Sequence, residues 1–145
     1  MAYGKKEHSR LAKVYLADSA GTTRDISNDV SSVDAPSNAD TVDVSGFGQT
    51  RKQYVVGLQD NTITLNGFFN DVASIGAHTV LSGIVGGTAG REFVYMPNGS
   101  AAGYARMKGT VLCSQYNVRT DIGGAVSFTA TLVPADTNGI IWGTA

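Results

Sequence analysis

The residues able to do chemistry in this chain are few, and their arrangement argues against a catalytic centre. There are two histidines (His8 and His78), one cysteine (Cys113) and two glutamates. Nucleophilic catalysis needs a nucleophile, a base and an orienting group held together in space. Nothing in the pattern places either histidine in such a group, and no Gly-x-Ser-x-Gly run marks a nucleophile turn. His8 falls in a basic amino-terminal arm, and His78 sits on a helix beside its apolar stripe. A solvated or packed imidazole is the reading for both. A single cysteine excludes an internal disulfide and a cysteine-based zinc site, and Cys113 reads as a small buried strand residue. The chain is read as a non-enzyme, with no catalytic residue, metal or cofactor assigned.

Three further patterns invite a binding function. Gly83-Ile84-Val85-Gly86-Gly87-Thr88-Ala89-Gly90 is glycine-rich like a phosphate loop. A phosphate loop joins a strand to a following helix and carries a lysine; these glycines leave a helix and enter a strand, with no lysine. Five aspartates lie between residues 25 and 43, but the calcium-loop spacing that closes on a glutamate is absent. They are read as a solvated acidic loop, or as a surface that repels DNA or meets a basic partner. Arg106, Lys108 and Arg119 with Tyr104 and Tyr116 mix basic and aromatic character on one strand. That mixture suits single-stranded nucleic acid, although an ordinary exposed strand face is favoured.

Composition sets the wider limits. Charged residues make up 16% of the 145 residues, below the roughly 25% of an average globular chain, which leaves neutral surface suited to burial against other subunits. The net charge of −1 excludes a strongly basic nucleic-acid binder as a bulk description. The charge is uneven. Residues 1–24 hold five cations against two acids, a net of +3, whereas residues 25–50 hold five aspartates and no cation, a net of −5. No apolar run approaches the roughly 18 residues of a membrane span. The first residues lack the apolar middle of a signal peptide, so synthesis in a cytoplasm is expected.

The elements that must position these residues are mainly strands. Lys13–Ala17 reads as a strand that turns at residues 19–22, with Thr23–Ile26 pairing back. Residues 27–40 are polar and acidic and read as an irregular loop. Val42 and Val44 alternate with Asp43 in a short strand over 41–45. Gln53–Leu58 and Thr62–Phe69 are strands, the second alternating Ile63, Leu65, Gly67 and Phe69 against Thr62, Thr64, Asn66 and Phe68. A helix is predicted over Asp71–Val85, capped by Asn70 or Asp71, with Ala73, Ala77, Val80, Leu81 and Ile84 as its apolar stripe. Glu92–Met96, a long strand over Tyr104–Val118 with a bulge at Gly109, and Ala125–Val133 complete the set. The expected fold class is α+β and mostly β: about seven strands in two packed antiparallel sheets, a sandwich or half-barrel flanked by one helix. The chain reads as one domain over 1–145, with a basic arm over 1–12, a long acidic loop over 27–53 and a carboxy-terminal tail over 136–145.

The segment Arg24–Phe69 resembles the tail tube proteins of long-tailed, non-contractile bacteriophages. The resemblance rests on Asp25-Ile26-Ser27, the loop Asp34-Ala35-Pro36-Ser37, and Val42-Asp43-Val44 with Gly46-Phe47-Gly48. It continues through Arg51-Lys52-Gln53-Tyr54-Val55-Val56-Gly57-Leu58 and Asp60–Phe69, and a closing strand over Gly124–Leu132 fits as well. It implies two orthogonal sheets flanked by a helix, six copies in a ring, and rings stacked into a tube that passes DNA without binding it specifically. The implied location is the virion tail. The implied partners are further copies of the chain and other tail proteins (tape measure, terminator, distal tail), with no membrane. Distal tail or head decoration proteins, and a carbohydrate- or host-binding sandwich module, remain as alternatives. Within the tube reading, Lys5, Lys6 and Arg10 of the basic arm face Asp34, Asp40 and Asp43 of the acidic loop between stacked copies. Phe47 and Tyr54 are apolar anchors, Arg51 and Lys52 pair with carboxylates, and Trp142 belongs to an arm docked on a neighbour. Phe47 packing on its own subunit, and Trp142 in a strand closing the home sheet, are the competing placements.

Overall fold

Strands that alternate in sequence alternate between core and surface. In the computed structural model, which describes residues 9–145, β6 (Ile63–Phe68) buries Ile63 and Leu65 completely, and β9 (Ser127–Pro134) buries Phe128, Ala130 and Leu132. The two strands pair so that Leu65 lies opposite Ala130 and Gly67 opposite Phe128. Gly67 has no room for a side chain: a Cβ there would stand 2.0 Å from the Asp29 carbonyl oxygen. The remaining strands are β1 (Lys13–Ala17), β2 (Thr23–Asp25), β3 (Val30–Asp34), β4 (Asn38–Asp43), β5 (Tyr54–Asp60), β7 (Arg91–Met96), β8 (Ala105–Arg119) and β10 (Ile140–Thr144). With α1 (Ala77–Ile84) the chain is mostly β, one helix and two antiparallel sheets.

The larger sheet runs β2-β1-β7-β8-β9-β6-β3, and β10 adds to β8. β8 is its pivot. Residues 107–111 pair with β7, residues 105–109 with β10 and residues 111–119 with β9. The ladder to β9 shifts between Cys113 and Gln115, leaving Ser114 as a bulge, and bulges bend and twist a strand. Val14, Leu16 and Phe93 from one half of the sheet therefore share a single core with Ile63, Leu65 and Phe128 from the other. The bulge expected at Gly109 is not there. Gly109 is needed because β10 lies against it, with Ile140 Cα 2.8 Å from where a Cβ would sit.

The helix is shorter than its sequence pattern. Ala77, Val80, Leu81 and Ile84 are buried as predicted, at roughly 1.5–3 kcal/mol for each of the larger three, but Ala73 precedes the helix and is exposed. Neither Asn70 nor Asp71 caps it. Asn70 Oδ1 instead accepts from the Val72 N–H at 3.1 Å, closing a turn. The helix starts at Gly76, which makes no side-chain cap. Its first turn is held from outside: Asp29 accepts from the Ala77 N–H at 3.1 Å and from Asn70 Nδ2 at 3.0 Å. A distant carboxylate thus fills the place that a local cap normally takes.

Three expectations fail together. The acidic segment over 27–53 is not a loop, since β3 and β4 lie inside it and pair with β6 and β5. Polar residues masked β3 and the first half of β4, where no dry face leaves a periodic signal, and of these two strands only 41–45 read as a strand. The carboxy-terminal segment is not an arm on a neighbour: Trp142 lies in β10 opposite Met107, with its ring centroid 6.2 Å from that of Tyr95. With β3 and β10 added to the strands read from the sequence, ten strands stand where about seven were expected.

Candidate assembly surface

β3 and β6 continue beyond the sheet as one long ribbon. Asp34 faces Thr64, and four residues further along each strand Asn38 faces Asp60, so the register carries through from β3–β6 into β4–β5. Between the two ladders stands Pro36, which has no N–H to give. There Asn61, the one buried polar side chain among the described residues, donates from Nδ2 to the Pro36 carbonyl oxygen at 3.2 Å and to Ser37 Oγ at 3.1 Å. These bonds replace the missing ladder and fix the outer half of the ribbon to the body. The sequence reading missed Asn61. The signal was an asparagine directly before a strong strand, with an Ala-Pro-Ser break upstream.

The outer half, β4–β5, stands away from the core, and every residue of both strands is exposed. Cross-strand partners share a face. Val42 opposite Val55, with Val44 two residues on, occupies one face; Tyr54 opposite Asp43, and Val56 opposite Thr41, occupy the other. Both faces therefore present apolar side chains to solvent. A two-stranded ribbon is marginal by itself in water, and this one buries nothing on either side within the protomer. Its loop is nevertheless ordered by its own hydrogen bonds. The Gln53 N–H donates to Ser45 Oγ at 2.7 Å, the Gly46 N–H to Gln49 Oε1 at 2.6 Å, and the Val44 N–H to the Gln53 carbonyl oxygen at 2.8 Å. The Ser45 hydroxyl, and then its N–H, hold the Asp43 carboxyl below the usual carboxylate range. Phe47 projects from this loop at 113% relative exposure, so it does not pack on its own subunit.

The other expected contact residues distribute as follows. Asp40 lies on β4 where Gly57 and Leu58 of β5 bulge opposite it, and Asp34 ends β3; both are exposed. Arg51 and Lys52 are exposed in the ribbon loop and make no ion pair among the described residues. Arg10 lines a groove of about 410 Å³ between the start of β1 and the outer edge of β3. Lys5 and Lys6 lie outside the described residues. The ribbon thus gathers Asp40, Asp43, Phe47, Arg51, Lys52 and Tyr54 into one projection, while Trp142 sits on β10. A groove between the ribbon stem (Ser37, Ala39, Gln59) and β10 (Ile141, Trp142) connects the two.

The patterns that suggested other binding functions fall apart in the structure. Tyr116 turns inward, its hydroxyl 2.9 Å from His78 Nδ1 and its ring against Phe128; burial pushes its phenol upward in pKa. Lys108 lies 3.9 Å from Glu92, and Arg119 Nε donates to Asp121 at 3.1 Å. Two of the three cations on β8 are therefore locally neutralised. Cys113 is buried, and burial raises its thiol pKa, away from reactivity. Among the described residues no three His, Cys, Asp or Glu side chains cluster as a metal site would need.

This arrangement, a bent sheet around one core with one helix and a long projecting ribbon, superposes on a tail tube protein, and the resemblance read from Arg24–Phe69 holds at the level of fold. Three solved structures show it over nearly the whole chain. The SPP1 tail tube protein superposes with a TM-score of 0.76 at 9% identity, covering 97% of this chain and 80% of that one. A chain from the tail of an empty gene transfer agent particle, refined with C6 symmetry, gives 0.70 at 15% identity, covering 97% and 99%. A chain of the anti-feeding prophage cap, which terminates a tube, gives 0.70 at 12% identity, covering 100% and 95%. No family model matches the chain, and no curated protein matches it either.

Proposed function

We propose that this chain is a structural subunit of a phage-type tail tube. Copies join side by side into rings of six, and the rings stack into a hollow cylinder that conducts DNA. The observation that carries this reading is the β4–β5 ribbon, apolar on both faces and uncovered by its own protomer. Burying such side chains is worth roughly 1.5–3 kcal/mol each, and here only another copy or another tail protein can cover them. The sheet rims agree: β2 and β3 end the large sheet and β10 has one strand partner among the described residues, and neighbouring copies can complete such rims. Sixfold symmetry follows the gene transfer agent tail that shares the fold. The proposed location is the virion tail, and the role is structural rather than enzymatic.

The conduit wall in this reading is neutral or acidic. A wall that neutralised phosphates would hold DNA through counterion release. The outer face of β6 and β9 offers Thr64, Asn66, Thr129 and Thr131, all uncharged, with the Thr129 hydroxyl donating to Asn66 Oδ1 at 2.8 Å. A second reading, a ring that ends a tube rather than repeating along it, is favoured by the cap protein of the same fold. Negative-stain microscopy of purified protein at rising concentration separates the outcomes. Tubes that lengthen support the repeating subunit, rings that stop at one layer support the terminal ring, and a monomer at every concentration refutes both.

A further inference from the structure

Two open strand edges face each other across a cleft within the protomer. β9 and β3 lie on opposite edges of β6, and β4 continues β3, so the edge of β5 that β4 leaves open continues the edge that β9 occupies. β10 pairs with residues 105–109 of β8, whose other edge is taken by β7 at 107–111, so β10 follows β9 on one edge of β8. Among the described residues β5 pairs with β4 alone and β10 with β8 alone. The space between β5 and β10 is a cleft of two lobes, about 330 and 440 Å³, and Gln59, Asn61, Ile140 and Ile141 line both. Beside it Leu58 is 83% exposed, Ile141 65% and Trp142 about half. A ladder across this cleft has its register already set. Ile63 faces Leu132. Along β8 the two steps from Val111 to Gly109 are matched by six from Pro134 to Ile140, so four residues are looped out between β9 and β10. Carrying the β6–β9 register past that loop sets Leu58 opposite Ile141, and cross-strand partners share a face.

We infer, resting on the tube reading above, that the unassembled subunit closes this cleft with its own ribbon. The ribbon swings about its stem, the β5 edge pairs with the β10 edge so that Leu58 meets Ile141, and the pairing is given up when the subunit joins a tube. The stem permits the swing. Pro36 stands between the two ladders, and Asn61, which lines both lobes, bonds to Pro36 and Ser37 of the stem rather than to β10. The ribbon has no core of its own and can move as a unit. Closure is favoured because an open edge recruits strands from other chains; here one movement satisfies two edges and covers Leu58 and Ile141. The occupant is fixed by the chain itself, since β5 already forms one wall of the cleft. A subunit held this way does not offer the β5 edge to other copies. Assembly then starts only where contacts at a growing end favour the released form over the closed one.

A disulfide across the cleft tests the closure. Leu58→Cys with Ile141→Cys places thiols at facing positions of the closed ladder, and Val55→Cys with Ile141→Cys places them three residues out of register; all three side chains are exposed, and the native Cys113 is buried. In dilute, unassembled protein the facing pair should oxidise within one chain at least about tenfold faster than the control, because cysteines whose Cα atoms lie more than about 7 Å apart are not bridged without backbone movement. The oxidised protein should stay monomeric by analytical ultracentrifugation where the wild type elongates, and should elongate once reduced. A facing pair no faster than the control, or one that links different copies instead of closing within a chain, overturns the closure. Oxidised protein that elongates like the reduced form overturns the gating. A wild type that never elongates overturns the tube reading and the release with it, while disulfide closure within one chain still decides the pairing. If the cysteine pairs disturb folding, Leu58→Ser alone reads the same contact through Trp142, the only tryptophan: its emission in dilute protein should move to the red of the wild type, and unchanged emission overturns the closure.

Discussion

Asn61→Ala removes the joint between ribbon and body and leaves the core untouched. The side chain gives two neutral hydrogen bonds, to the Pro36 carbonyl oxygen and to Ser37 Oγ, from a site 9% exposed. Neutral bonds contribute about 0.5–1.5 kcal/mol each, so the joint weakens by about 2 kcal/mol. The loss falls on β4–β5, because the ribbon has no core of its own and opens as a separate unit. At 1.4 kcal/mol per tenfold, ribbon amides such as Val42 and Val55 should exchange with solvent roughly 30-fold faster, while β6 and β9 amides keep their wild-type rates. If each added copy must first order its ribbon, the concentration needed for assembly rises by the same roughly 30-fold. Hydrogen exchange by mass spectrometry reads the first effect, and sedimentation of assembled protein against concentration reads the second. Equal acceleration in β6 and β9 would show that Asn61 supports the body rather than the ribbon, and no acceleration anywhere would refute the joint.

Three further outcomes follow from the structure. Asp29→Ala strips the outside acceptor from the first turn of α1 and from Asn70; a loss of about 2 kcal/mol lowers the melting temperature by about 4–8 °C for a domain of this size, and Asp29→Asn, which keeps one acceptor, falls between. Gly109→Ala forces a Cβ within 2.8 Å of Ile140 Cα and the Gly139 carbonyl oxygen. It should lift β10 at a cost of about 1–3 kcal/mol and shift the emission of Trp142, the only tryptophan, to the red. Asp18 is held below its ordinary value of 3.8 by the Arg24 side chain first and by the Thr22 and Ala20 N–H groups after. Its folded pKa being depressed, its contribution to stability is complete above 3.8 and is lost as pH falls through the folded value; a carboxyl NMR titration should place the midpoint below 3.8, and Arg24→Gln should move it back up.

How far the sequence reveals this structure depends on whether one face of a segment is dry. β6 and β9 alternate because each has a core face and a wet face, and Ile63, Leu65, Phe128, Ala130 and Leu132 were legible for that reason. β4 has two wet faces in the protomer, so only its end at Val42-Asp43 alternates legibly, and residues 38–40 read as a loop. β10 is short, and only Ile140 of its five residues is buried, so Trp142 resembled a free arm. The helix start escaped because its acceptor, Asp29, is 48 residues away in sequence. For the candidate surface, Phe47, Tyr54, Arg51 and Lys52 stood out by type, whereas Val55, Val56 and Leu58 read only as part of a strand and Asn61 drew no notice.

An apolar ribbon with two open edges ought to be an aggregation hazard, since free strand edges recruit further strands. Three features steer this one away from ladder growth. Asp40 and Asp43 lie along β4, so a second copy of β4 added to its edge would set carboxylates beside carboxylates. Gly57 and Leu58 together face Asp40, so β5 departs from a regular ladder in its middle. Pro36 and the Asn61 bonds interrupt the ladder at the stem. What remains attractive is the faces, where Val42, Val44 and Val55 on one side and Tyr54 and Val56 on the other offer area without backbone groups to pair. Association through faces demands a partner surface of matching shape, so in the proposed tube it would favour ordered growth over ladder growth. Asp40→Val with Asp43→Val tests this directly. It should leave the fold intact and convert ordered elongation into fibres that bind thioflavin; unchanged assembly would mean that the carboxylates do not guard the edge.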